Sequence, residues 1–161
     1  MKKNIQTLPI LVCLCIFLTA TSARALPKPV TSGAAHVYST KGNYQDVKSD
    51  LVDAIEAQGL VISYTAYAAS MLARTSEAIG SSAKAYGNAE ILLFCKAGLT
   101  YELTIANPHN LVLCPYSISI YTLVDDPNTI YLSIRRPDLQ VAEYAPVHSL
   151  LESIIADTLD W

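Results

Sequence analysis

The chain has 161 residues, 52% of them hydrophobic and 16% charged, with 11 basic against 14 acidic side chains. No block of Lys or Arg stands anywhere along it, so the basic footprint of a general nucleic-acid or anionic-membrane binder is missing. The length suits one domain built on a single core, and there is no internal repeat or low-complexity block.

The first residues read as an export signal. Lys2 and Lys3 form a positive start, Leu8 to Ala20 is an uncharged apolar stretch, and Ala23 and Ala25 are the small residues of a cleavage site. The apolar run is shorter than the roughly 20 residues of a membrane span. The expectation is a secretory signal over 1–25, cut after Ala25, and a periplasmic or secreted bacterial protein with no membrane attachment after cleavage. Cys13 and Cys15 would leave with the signal. Lys2, Lys3 and Arg24 leave too and no acidic residue does, so 8 basic side chains then face 14 acidic ones, a formal charge of −6.

Residues 26–35, "LPKPVTSGAA", read as a flexible leader, and 36–161 as the single domain. "HVYST" (36–40) is a short strand. "YQDVKSDLVDAIEAQG" has helical period, with Tyr44, Val47, Leu51, Ala54 and Ile55 on one face, Asn43 as N-cap and Gly59 as the stop. "LVISYTAYA" (60–68) is a second strand. "ASMLARTSEAIG" is a short helix or an ordered loop, and "SSAKAYGN" a loop. "AEILLFCK" (89–96) barely alternates and reads as a central strand. "GLTYELTIANPHN" starts as a helix that stops near Asn107, because Pro108 disfavours helical geometry before it.

The next two runs alternate cleanly. Ile118, Ile120 and Thr122 share one face of the first, and Ile130, Leu132 and Ile134 one face of the second, with "DDPN" as the turn between them. Residues 143–161 then form a long helix starting near Tyr144, with Val147, Leu151, Ile154, Ile155 and Thr158 on its apolar side and Pro146 in its first turn. Two amphipathic helices need a sheet to cover. The expected fold is α+β, a two-layer sandwich of a mostly antiparallel mixed sheet of about five strands with two long helices on one face.

Cys95 and Cys114 are the two cysteines of the exported chain. In an oxidising compartment they suggest a disulfide, closing a loop of 20 residues for about 3 kcal/mol. Two other readings stand open: buried free thiols packed as small hydrophobes, or a functional pair acting in redox or metal chemistry. Cys114 with His109, five residues earlier, is a weak metal candidate. His36 and His148 read as solvated or hydrogen-bonded surface side chains, and Met71 as core. Asp125 and Asp126 read as solvated turn residues. No serine-hydrolase elbow, phosphate loop or dinucleotide fingerprint occurs, and no catalytic residue is assigned.

The other face of the hairpin groups Ser119, Tyr121, Tyr131, Ser133 and Arg135, a face suited to an interface or a ligand cleft as well as to plain solvent. Arg74 with Thr75 could edge such a site, and Arg136 could add a charge for an anion.

Several motifs carry a resemblance. "MLARTSEAIG", "AEILLFCKA", "NPHNLVLCPYSISIYTL" and "SIRRP" resemble, in order and spacing, the bacterial and archaeal family called domain of unknown function 302, over roughly Val37 to Ile155. The resemblance implies an α+β fold and a dimer. It also implies a cysteine ending one strand, a short helix ending at an Asp-Pro, and a second cysteine beside a proline opening the next strand. Cys95, Asn107-Pro108 and Cys114-Pro115 take those places. The chain departs from the family at Lys96-Ala97, where many members have Asn-Pro, and in placing Pro115 after the cysteine. The family has no settled activity, so the resemblance implies a fold and no mechanism.

Three functions follow as expectations. The first is an exported, non-enzymatic protein that binds a small ligand or a protein partner, as a homodimer. The second is a thiol-based sulfur or redox protein using Cys95 and Cys114. The third is a copper or haem accessory protein using Cys114, His109 and Met71. No cofactor is assigned.

Overall fold

The computed structural model describes residues 28–138 and 140–159. The expected signal, 1–25, lies outside the described residues. In chain order the elements are β1 (Val30–Ser32), β2 (Ala35–Lys41), α1 (Tyr44–Ala57), β3 (Ile62–Ala66), α2 (Ala68–Ala78), β4 (Tyr86–Phe94), α3 (Ala97–Ala106), β5 (Tyr116–Leu123), β6 (Asp126–Arg135) and α4 (Ala145–Leu159). Two 3-10 turns, Pro108–Leu113 and Ala142–Tyr144, precede β5 and α4. No helix among the described residues is long and apolar enough to cross a membrane.

The fold is the expected α+β sandwich, with two corrections to its sheet. It has six strands in the order β1-β2-β6-β5-β4-β3, and every pairing is antiparallel rather than mixed. The extra strand comes from the segment read as a flexible leader. Val30–Ser32 pairs with Val37–Ala35. The tight turn between them needs a left-handed residue, supplied by Gly33 at φ 55°. A further shift concerns the β5–β6 turn, which is Val124-Asp125; Asp126, Pro127 and Asn128 already belong to β6.

Strand alternation divides the sheet into two faces. Tyr38, Leu132, Ile120 and Glu90 lie side by side across four strands on the inner face. Ile118, Leu92, Phe94, Tyr116 and Ile134 are also buried there. The helices supply the other half of this core. From α1 come Tyr44, Val47, Leu51, Ala54 and Ile55, and from α4 come Val147, Leu150, Leu151, Ile154, Ile155 and Thr158. Each aliphatic side chain fully withdrawn from water contributes about 1.5–3 kcal/mol, which holds the two layers together. The start of α1 follows from its cap: the Asn43 side chain accepts hydrogen bonds from the Gln45 and Asp46 amides at 2.8 and 3.4 Å. Its end follows from Gly59 at φ 71°.

The inner row ends in a polar group on each side. On β2, the Tyr38 hydroxyl donates to Glu152 Oε1 at 3.1 Å. On β4, Lys48 Nζ donates to Glu90 Oε1 at 2.9 Å and stands 2.7 Å from Oε2 as its counter-charge. The Tyr44 hydroxyl lies 3.4 Å from both Glu90 Oε1 and the Ile120 carbonyl. Burial first, and then the adjacent carboxylate, push both tyrosine hydroxyls above their ordinary value. The folded chain therefore keeps protons that the unfolded chain releases. This source of stability is complete below about pH 10 and is lost as pH rises further. We expect the urea midpoint of the wild type to fall as pH rises from about 10 to 11, and that of Tyr44→Phe to fall less steeply. Equal slopes would contradict the assignment.

Candidate functional site

Among the α-helices of the described residues, α2 is the one with no buried side chain in any of its eleven residues. Its backbone is closed locally. Ser70 Oγ donates to the Tyr67 carbonyl at 3.1 Å, and the helix ends at Gly80 with φ 67°. Yet Met71, Leu72 and Ile79 stay 51%, 43% and 74% exposed. An apolar helix face left open to water marks a place where something can bind.

That place is a cleft of about 720 Å³ between α2, the segment 81–85 and the start of β4. Ala69, Leu72, Ala73 and Ile79 form one wall, and Lys84 and Tyr86 the opposite side. Beside Tyr86, Gly87 lets the backbone come close to β5. A Cβ there would stand 2.9 Å from Thr122 Oγ1, the atom that accepts the Asn88 amide at 3.0 Å. This local irregularity of the ladder turns Tyr86 toward the sheet's outer face.

Tyr86 is the first rung of an aromatic ladder. Its ring meets Tyr121 edge to face at 5.4 Å, and Tyr121 stacks on Tyr131 at 5.3 Å and 14°. Both geometries suit the quadrupoles of the rings. Register places Tyr121 opposite Tyr131 and Ser119 opposite Ser133. Four of the residues singled out on the sequence therefore do stand together, half-buried on the outer face. Burial raises the Tyr121 hydroxyl above its ordinary value, and a hydrogen bond with Ser133 partly opposes that.

The far end of the ladder is anchored by charge. The Tyr131 hydroxyl donates to Asp126 Oδ2 at 3.0 Å, which raises the phenol. Hydrogen bonds from Thr129 and Tyr131, with the Lys41 ammonium 3.7 Å away, hold the Asp126 carboxyl below the usual carboxylate range. Lys41 also donates to Thr129. Asp126, expected as a solvated turn residue, keeps a side chain 40% exposed but opens β6 and accepts the Tyr131 hydroxyl. Arg135 is exposed beyond the serines, opposite Ala35. Arg74 is exposed on α2 and is not among the residues lining the cleft, although its neighbours Ala73 and Thr75 are.

The cysteines lie elsewhere. The Cys95 and Cys114 sulfurs are 2.05 Å apart in a disulfide that joins the end of β4 to the start of β5. Cys95 is exposed, whereas Cys114 packs against the core, with Thr100 Oγ1 at 3.7 Å from its sulfur. The Cys114–Pro115 peptide is cis. A bonded Cys114 offers no thiolate, and His109 is exposed on the 3-10 turn, so the structure does not build the metal pair suggested for them. Met71, read as core, is exposed on α2.

His36 and His148, expected as solvated or hydrogen-bonded surface side chains, instead pack against each other. Their rings meet edge to face at 5.4 Å, and both are half-buried. His148 Nδ1 lies 3.4 Å from Glu152 Oε2. The local signal for this group was the four-residue spacing of His148 and Glu152, which puts both on one helix face.

Comparison with known proteins bears on the fold. No protein-family model matches the sequence, and no curated protein matches it. Among solved structures, the chain is similar to the uncharacterized conserved protein DUF302 from Bacillus stearothermophilus. The two share 12% identity with a TM-score of 0.55, over 78% of this chain and 90% of that one. At this identity the likeness shows the fold, which is the one the sequence resemblance implies.

Proposed function

We propose that this is an exported, non-enzymatic binding protein, cut after Ala25, that takes a small, largely apolar ligand into the cleft between α2 and β4. One observation carries the reading: a cleft of about 720 Å³ with an aliphatic wall opens directly onto an aromatic ladder. Its size falls within the roughly 300–1,000 Å³ of small-molecule sites. Leu72 and Ile79 supply apolar surface, Tyr86 an aromatic ring, and Lys84 a single cation to orient a polar end.

Ala73→Trp tests this, because an indole at that wall fills the space. The wild type is expected to bind the fluorescent apolar probe N-phenyl-1-naphthylamine saturably, with one probe per chain. The variant, checked for an unchanged melt, should bind at least about tenfold more weakly. Unsaturable binding, or equal affinity in both, would overturn the proposal.

A second reading, thiol exchange with an external dithiol, is favoured by the exposure of Cys95 next to a core-packed Cys114. Thiolate attack needs access to one sulfur, and Cys95 is the accessible side. It is decided by the cysteine replacements discussed below.

A further inference from the structure

We propose that His36, His148 and Glu152 form a binding site for a divalent transition-metal ion, and that the ion fastens β2 to α4. One donor atom from each of the three lies within 4.8 Å of the others. Two of their nitrogens, His36 Nδ1 and His148 Nε2, are buried with no hydrogen-bond partner among the described residues. Buried polar atoms are almost always paired. The unpaired His36 Nδ1 has a lone pair or proton with nothing to meet, and a metal ion satisfies such a lone pair. His148 faces Glu152 Oε2 through Nδ1 rather than through its unpaired Nε2, so an ion beside the carboxylate takes His148 by Nδ1 and leaves Nε2 its proton.

The donor types fit borderline ions. Two imidazoles and a carboxylate suit zinc, cobalt, nickel or copper(II) rather than calcium or magnesium, which prefer oxygen. A tetrahedral ion with bonds of about 2.0–2.2 Å holds its donors about 3.4 Å apart, so the three side chains need to draw in by about an ångström. The fourth position is left to water or an outside ligand.

The surroundings are those of a supported site. His148 and Glu152 are four residues apart on α4 and share a face, the spacing used by helical metal motifs. His36 comes from the inner face of β2, opposite Ile134. Tyr38, two residues on, donates to Glu152 Oε1 and leaves Oε2 turned toward His148. A second hydrogen bond of this kind fixes the direction of a ligating carboxylate, and its loss commonly costs 10–100-fold in affinity. Because strand and helix are far apart in sequence, the ion would bind only the folded chain and stabilise it.

The experiment uses the purified, metal-free exported chain. Zinc is titrated by calorimetry and by its effect on the melt, and cobalt by its visible bands, which report coordination geometry. The expected result is one ion per chain at micromolar affinity or tighter, a melt that rises with zinc, and tetrahedral cobalt bands. His36→Ala and His148→Ala should each weaken zinc binding at least about 100-fold, and Tyr38→Phe about tenfold. Glu152→Gln keeps the side-chain shape and an oxygen for Tyr38 to donate to, so it should stay folded while losing the cobalt bands. Probe binding in the α2 cleft should be unchanged in these variants, which separates this site from the proposed function. The proposal is overturned if the wild type shows no metal-dependent melt and no cobalt bands. It is also overturned if a folded Glu152→Gln or His148→Ala binds zinc as tightly as the wild type.

Discussion

Cys95→Ala/Cys114→Ala is expected to melt about 10 °C below the wild-type chain under non-reducing conditions. The bridge spans a sequence separation of 19, so cutting it returns to the unfolded chain the entropy of a loop worth about 3 kcal/mol in the chain-entropy model. That loop contains all of α3 and the 3-10 turn before β5. α3 buries little on its own behalf, with Leu103 as its single buried residue. The bridge therefore fixes both ends of the segment that carries α3, while the Thr100–Tyr116 hydroxyl contact at 3.0 Å ties α3 itself to β5. Replacing both cysteines avoids leaving one reactive thiol. Differential scanning fluorimetry reads the loss, and intact mass before and after reduction shows whether the exported chain starts at Leu26 and lacks two protons. A double variant as stable as the wild type would remove the structural role and favour thiol exchange at Cys95.

Lys48→Met should cost about 2–3 kcal/mol, nearly as much as losing the bridge. Glu90 sits on the inner face of β4 with its side chain 12% exposed, and Lys48 is its cation. Removing one partner of a buried pair leaves the other charge uncompensated, which costs about 3–5 kcal/mol when burial is complete. Lys48 is 27% exposed, so water replaces part of what it supplied and the figure is reduced. Tyr44 remains within reach of Glu90, but a single neutral hydroxyl does not balance a carboxylate. The double variant Lys48→Met/Glu90→Leu removes both charges and should recover most of the loss, since apolar residues of similar volume often replace such pairs without cost. Urea unfolding of the two single variants and the double closes the cycle. Additive losses would show that the pair is not coupled.

The parts of the fold that were legible in the sequence are those with a long periodic face. α1 could be read from Asn43 to Gly59 because its cap, stripe and stop agree. The β5–β6 hairpin could be read from its alternation, and α4 from Val147 to Thr158. β1 could not, because three residues hold no period and their strand geometry comes from β2 beside them. Tyr86–Asn88 read as loop because Gly87 interrupts the pattern where the ladder bulges. α2 stayed undecided for a physical reason: a helix that buries none of its residues has no core stripe to betray it.

The candidate sites divide in the same way. Ser119, Tyr121, Tyr131 and Ser133 were visible because a hairpin's register follows from its turn. The cleft was not, since its walls come from α2 and from a bulge. His36 and His148 are separated by most of the domain and meet only when β2 and α4 pack, so no local spacing links them.

The most direct test of ligand recognition in the cleft is a backbone amide NMR map of the 15N-labelled exported chain, with and without saturating N-phenyl-1-naphthylamine. The account predicts shifts concentrated at Ala69, Ala73, Ile79, Lys84 and Tyr86, continuing to Tyr121, with His36 and Glu152 unmoved. Shifts confined to other surfaces, or none at all, would contradict it.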